Sequence, residues 1–129
     1  MVPENKLQKP LVLLPTFNER NNLIAVIDSV QIHLPEAHIL VIDDNSPDGT
    51  GQIASVRASI DSKVDVLHRG KKEGLGKAYL AGFQWGLERS FTHFFEMDAD
   101  FSHNPKDLPR LLGATESADI ALGCRYIKG

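Results

Sequence analysis

Phe94-Phe95-Glu96-Met97-Asp98-Ala99-Asp100 is an apolar, aromatic run that stops abruptly at two carboxylates spaced i, i+2. Read as a strand, it places successive side chains on opposite faces, so Asp98 and Asp100 point the same way from its C-terminal end. Two anions side by side repel unless a cation or an array of donors offsets them. A hard divalent metal such as Mg²⁺ or Mn²⁺, shared with a diphosphate, is the simplest solution. The plainer alternative is a solvated acidic turn.

The same design, a short apolar run with a polar end, recurs on either side. Leu11-Val12-Leu13-Leu14 reads as a buried strand stopped by Pro15, and Ile39-Leu40-Val41-Ile42 as a second that closes on Asp43-Asp44. Val64 to Leu67 reads as a third strand, Thr92 to Met97 as the fourth and Ile120-Ala121-Leu122 as the fifth. Helical patterns fill the gaps. Leu23, Ile27, Val30 and Leu34 mark one helix face, ended by Pro35. Thr50 is the expected N-cap of a helix carrying Ile53, Val56 and Ile60. A third helix runs from Lys77 to Glu88, with Gly82 and Gly86 allowing close packing on a sheet. Asn104-Pro105 opens another helical turn, whose start Pro109 leaves open. This alternation predicts an α/β fold, a mostly parallel sheet with helices on both faces. In such folds ligands sit outside the carboxyl ends of the strands.

The chain has 129 residues, 42% of them hydrophobic and 24% charged, which suits one globular domain. Its net charge is −3, and its basic crowding is one short patch, Arg69, Lys71, Lys72 and Lys77, so nucleic acid is not an expected partner. That patch reads as a solvated loop or as a phosphate site. The lone Cys124 excludes an internal disulfide and a cysteine-cluster metal site, and fits a reducing compartment. Met1 to Pro10 is polar and unlike a signal peptide, and no apolar run approaches bilayer length. The expectation is a cytoplasmic protein, at most peripheral on the cytoplasmic face of a membrane.

Polar residues gather at four strand ends: Pro15-Thr16-Phe17-Asn18-Glu19, Asp43-Asp44-Asn45, Asp98-Ala99-Asp100 and Gly123-Cys124-Arg125. Asn18 and Asp48 read as cap or turn residues. The glycines from Gly70 to Gly76 match neither a P-loop nor a dinucleotide fingerprint: Ala78 stands where a P-loop needs Ser or Thr, and Tyr79 where the fingerprint needs its third glycine. The five histidines show no metal-ligand spacing, although His103 follows the acidic pair closely. A phospho-receiver domain has similar length and alternation, but it needs an acidic pair after the first strand and an Asp after the third. Here those strands end in Pro-Thr-Phe-Asn-Glu and Leu67-His68-Arg69.

In combination and in order, Leu13 to Glu19, Val41-Ile42-Asp43-Asp44-Asn45-Ser46-Pro47-Asp48-Gly49-Thr50, Gly74 to Tyr79, Met97 to Asp100 and Arg125-Tyr126 resemble the family 2, GT-A type glycosyltransferases. Within that family they are most similar to the polyprenyl-phosphate (dolichol-phosphate) mannosyltransferases. The resemblance covers Leu11 to Lys128 and implies a GT-A, Rossmann-like sheet and a nucleotide-sugar donor, GDP-mannose. Carried over by position, it implies that Pro15, Phe17, Glu19, Ile42 and Asp44 line the nucleoside pocket, with Asp44 recognising the base. It implies that Asp98, Ala99 and Asp100 face ribose, diphosphate and metal, with Asp98 and Asp100 as ligands of Mg²⁺ or Mn²⁺. Arg125 would offset phosphate charge and complete a catalytic set with the two aspartates.

Phe17 stands where the family commonly has Tyr, and Ser102 where some members place a metal-binding Gln. The resemblance further implies transfer with inversion to a polyprenyl or dolichyl phosphate. Members of this type continue well past Arg125-Tyr126, so residues 1–129 are expected to be the donor-binding part of a truncated GT-A domain. The lipid-binding and membrane-contacting parts would then lie elsewhere. The alternatives carried forward are a non-catalytic nucleotide-sugar-binding module and a UDP-glucose-dependent polyprenyl-phosphate glucosyltransferase.

Overall fold

The computed structural model describes residues 8–100, 105–114 and 125–128, the last four through their main chain. Strand β1 (Pro10–Thr16) is followed by α1 (Leu23–His33), β2 (His38–Asp43), α2 (Thr50–Ile60), β3 (Val64–His68), α3 (Leu75–Glu88) and β4 (His93–Glu96). A 3₁₀ turn at Pro105–Asp107 leads into α4 (Leu108–Ala114), and β5 (Arg125–Lys128) closes the order. The sheet runs β3-β2-β1-β4-β5. Its first four strands are parallel and β5 is antiparallel to β4. This is the α/β fold expected. The strand expected at Ile120-Ala121-Leu122 lies outside the described residues, as do Ser102, His103 and Cys124.

Strand alternation divides the core in two. Val12, Leu14, Ile39, Val41, Phe95 and Met97 face α1, α2 and α4, while Leu11, Leu13, Leu40, Ile42 and Phe94 face α3. Both faces of the central strands are covered, which is why those strands read as unbroken apolar runs. Helix α3 lies close because Gly82 and Gly86 carry no side chain: a Cβ at Gly82 would sit 2.6 Å from Ile42 Cδ1.

Three details differ from the sequence reading. Pro15 lies inside β1 instead of ending it. Met97 N donates to Leu13 O across one edge of β1, and Asp44 N to Thr16 O across the other. By that alternation Pro15 turns its missing N–H toward the β4 side, where the strand ladder has ended at Leu13 and Glu96. Thr50 is the first residue of α2 and not its N-cap; that place belongs to Gly49, at φ +92°. The apolar spacing of α2 also misled. Thr50, Gly51 and Ala54 are the buried residues, whereas Val56 and Ile60 are 64% and 80% exposed. Small residues let α2 approach the sheet; Ile53 still packs against the core, while Val56 and Ile60 point away. Pro109 proves tolerable at the second position of α4, where the first-turn N–H groups have no intrahelical acceptor.

Candidate functional site

Thr16 and Asp43 are partners in the β1–β2 register, so both strands end level. Asp43 and Asp44 then take opposite sides. Asp43 turns toward α2, where the Cβ that Gly51 lacks would sit 2.8 Å from its Oδ2. It is 2% exposed, and its carboxylate accepts hydrogen bonds from Thr16 Oγ1 at 2.8 Å, Ser46 Oγ at 2.6 Å and Ser46 N at 3.0 Å. Three of its roughly four acceptor positions are directed at the protein.

Asp44 turns toward the segment between β3 and α3. Its Oδ1 lies 3.6 Å from Arg69 Nη1, and both atoms are buried without a hydrogen-bond partner. Burial raises the Asp44 carboxyl above its ordinary range; Arg69 opposes the shift, and the neighbouring charge of Asp43 adds to it. Arg69 is held from behind by Glu73 Oε2 at 3.3 Å, which also meets Lys77 Nζ at 3.5 Å. From the same loop Lys72 places its ammonium 4.6 Å from the centre of the Phe17 ring. Part of the basic patch therefore closes over the ends of β1 and β2.

The acidic pair lies just past β4. The strand ends at Glu96 and a turn occupies residues 99 and 100, so strand alternation does not itself orient the carboxylates. Burial nonetheless alternates: Met97 and Ala99 are buried, Asp98 is half-buried and Asp100 exposed. Tyr79 of α3 donates its hydroxyl to Asp98 Oδ1 at 3.5 Å. Among the described residues no three His, Cys, Asp or Glu side chains cluster as they would around a metal ion. A cation here would take two aspartates, with its other positions filled by phosphate oxygens or water, an arrangement that suits Mg²⁺ or Mn²⁺. Residue 125 begins β5 opposite Glu96, which sets its main chain beside the same edge; the Arg125 side chain lies outside what is described.

The expected site residues thus fall into groups. Phe17 and Asp44 are bridged by the loop after β3, and Asp98 is tied to α3. Pro15 and Ile42 are register partners, both buried, and the Ile42 side chain packs at Gly82, so what Ile42 offers a ligand is main chain. Glu19 accepts from Asn22 Nδ2 at 3.2 Å at the entry to α1. Arg69 and Lys72 entered the sequence reading as part of a basic patch, solvated or phosphate-binding, and Tyr79 only within the Gly74 to Tyr79 stretch; none was assigned a contact with Asp44, Phe17 or Asp98. Inspecting the end of β3 as closely as the other strand ends would have found Arg69.

Over residues 11–129 the sequence matches the family described as Glycosyl transferase family 2. It is 52% identical over 124 residues to a polyprenol monophosphomannose synthase of Mycolicibacterium smegmatis, covering 95% of this chain and 47% of that protein. It is 50% identical over 119 residues to an undecaprenyl-phosphate mannosyltransferase of Micrococcus luteus, covering 92% and 49%. The chain therefore spans about half the length of these curated relatives. Among solved structures, a mannosyltransferase from Pyrobaculum calidifontis in complex with GDP-Man and Mn²⁺ superimposes with a TM-score of 0.67 at 19% identity, over 90% of this chain and 34% of that one.

Proposed function

The chain belongs to glycosyl transferase family 2, and on that premise we propose that residues 1–129 form the nucleotide-sugar-binding part of an inverting polyprenyl-phosphate mannosyltransferase that takes GDP-mannose. The observation that carries this reading is the pair Asp44 Oδ1 and Arg69 Nη1, an acceptor and a donor buried side by side with neither hydrogen-bonded. Buried polar groups rarely go without a hydrogen bond, and an ion pair held at 3.6 Å leaves both atoms free to form one with a ligand. A base edge that presents N–H next to C=O satisfies the pair; guanine and uracil both have one, and guanine is chosen from the GDP-Man bound in the Pyrobaculum neighbour. The names of the relatives supply mannose and the lipid phosphate.

Asp98 and Asp100 would hold a divalent cation, which when bound stabilises negative charge on the departing diphosphate. Tyr79 orients Asp98 from α3. Phe17 offers a ring face to the base, and Arg125 a cation for phosphate. In the reaction the bond from the anomeric carbon to the diphosphate breaks. A bond to an oxygen of the lipid phosphate forms on the opposite face, and GDP leaves. The attacking phosphate is already anionic, so no general base is required. The acceptor lipid would meet this chain at the cytoplasmic face of a membrane; among the described residues no helix is long and apolar enough to cross one.

Calorimetry with GDP, UDP and GDP-mannose, each with and without Mn²⁺, tests the reading. GDP should bind in a metal-dependent manner, and Asp100→Ala should weaken it at least tenfold. Binding indifferent to metal, or none to any of the three, overturns it.

A further inference from the structure

Three consecutive main-chain N–H groups after β1 are taken up by side chains of the loop after β2 and of the first residue of α2. Asn18 N donates to Ser46 Oγ at 3.0 Å, Glu19 N to Thr50 Oγ1 at 3.0 Å and Arg20 N to Asp48 Oδ2 at 3.2 Å. Each hydroxyl that accepts also has its single proton committed, Ser46 to Asp43 and Thr50 to Asp48. Asp48 Oδ1 further accepts from Thr50 N at 3.0 Å, and its main-chain oxygen accepts from Arg20 Nη1 at 3.3 Å.

The consequence falls on the two residues between these ties. Phe17 sits between Thr16, bonded to Asp43, and Asn18, bonded to Ser46. Asp44 sits between those same two partners, Asp43 and Ser46, and its own N–H reaches Thr16 O at 3.2 Å. Directly after each of them the chain turns through a left-handed residue, Asn18 and Asn45, both at φ +58°. That conformation is unfavourable for most side chains, Asn tolerates it better, and it persists where surrounding bonds over-determine it. A stacking ring and a hydrogen-bonding carboxylate are thereby held on two loops that cannot move independently.

We propose that Ser46, Asp48 and Thr50, with Asp43 behind them, are positioning residues that fix the spacing between Phe17 and Asp44 and so set the nucleoside slot. The proposal rests on the donor-site reading above and extends it to residues that touch no ligand. The slot's affinity then comes in part from preorganisation: the free loops already hold the bound spacing, so little ordering remains for the nucleoside to impose.

Thr50→Val, Thr50→Ser and Ser46→Ala are compared with wild type for Mn²⁺-dependent binding of GDP and of pyrophosphate, which carries no base. Thr50→Val and Ser46→Ala should each weaken GDP at least tenfold while pyrophosphate stays within about twofold, and Thr50→Ser should restore GDP. Folded variants that bind GDP like wild type overturn the proposal, as does parallel loss of GDP and pyrophosphate. If Ser46→Ala fails to fold, the Thr50 pair decides the matter. Wild type that binds no GDP overturns the donor reading and this proposal together, whereas wild type that binds beside indifferent variants overturns the positioning role alone.

Discussion

Two walls meet over the Phe17 ring, and they are built by opposite means. One is the paired loops after β1 and β2, joined by short bonds to buried or half-buried hydroxyls and carboxylates. The other is the loop after β3, whose residues 70–74 are exposed and whose ion pairs at Glu73 run from 3.3 to 3.9 Å. The first wall resists deformation because breaking it strands buried donors. In the second, Arg69 stays tied to Asp44 and to Asp43 O, but the exposed residues beyond it are screened by water and their ion pairs can shift at little cost. A slot with one fixed side and one adjustable side can hold a base to a set spacing and still admit it.

The comparison breaks most readily at Asp43. Asp43→Ala leaves the Thr16 hydroxyl, the Ser46 hydroxyl and the Ser46 N–H without their acceptor in a buried place. The expected loss of stability in urea unfolding is about 3 kcal/mol. A loss below about 1 kcal/mol would mean that water or a rearranged loop replaces the carboxylate, and the wall would not be rigid.

Asp44 and Asp48, four residues apart in one run, sharpen the same contrast through pH. The Asp44 carboxyl is raised, first by burial, against the pull of Arg69 and with Asp43 and Glu73 nearby. A raised carboxyl contributes stability that is full below its unfolded value and lost as pH rises through its folded value. Asp44→Asn should therefore be at least as stable as wild type at pH 7, with the gap closing as the medium is acidified, while GDP binding falls at least tenfold. Asp48 is lowered, first by the Thr50 hydroxyl, so its contribution is present above the ordinary carboxylate value and lost as pH falls through its folded value. Asp48→Asn should flatten the acid limb of the stability profile, and thermal melts between pH 3 and 7 would show both slopes. A pair of variants that change stability in the same direction at every pH would contradict the opposite settings of the two carboxylates.

Much of this was legible in the sequence, and what was missed has a physical pattern. The four parallel strands could be read because both faces are buried and the runs are continuously apolar. Gly82 and Gly86 could be read because close helix–sheet approach has few other solutions. On α2 the reading failed at Val56 and Ile60 and held at Ile53, because spacing marks where large apolar residues fall, and here most of the buried side is made of Thr50, Gly51 and Ala54. At the candidate site, Asp44 and the acidic pair stood out by residue type and position at strand ends, and Phe17 through the family resemblance. The interlock did not. Ser46 and Thr50 act by reaching across some thirty residues of chain to main-chain N–H groups, and sequence does not display which amides lack a partner. The contact of Arg69 was hidden for the opposite reason, since a basic residue in a basic patch reads as solvated or phosphate-binding until a buried carboxylate is found beside it.

The smallest expected effect lies on the adjustable wall. Glu73 meets Arg69, Lys71 and Lys77, and its side chain is 31% exposed, so each pair is screened and held by flexible stems. Glu73→Gln should change stability by no more than about 0.5 kcal/mol. Its effect on GDP should be under threefold at moderate salt and smaller still at high salt, because the charge it removes is one that counterions already dilute. A loss in urea unfolding comparable to that of Asp43→Ala would show that Glu73 anchors Arg69 as firmly as Asp43 anchors Ser46. The slot would then have two rigid sides, and entry of the base would require both to open.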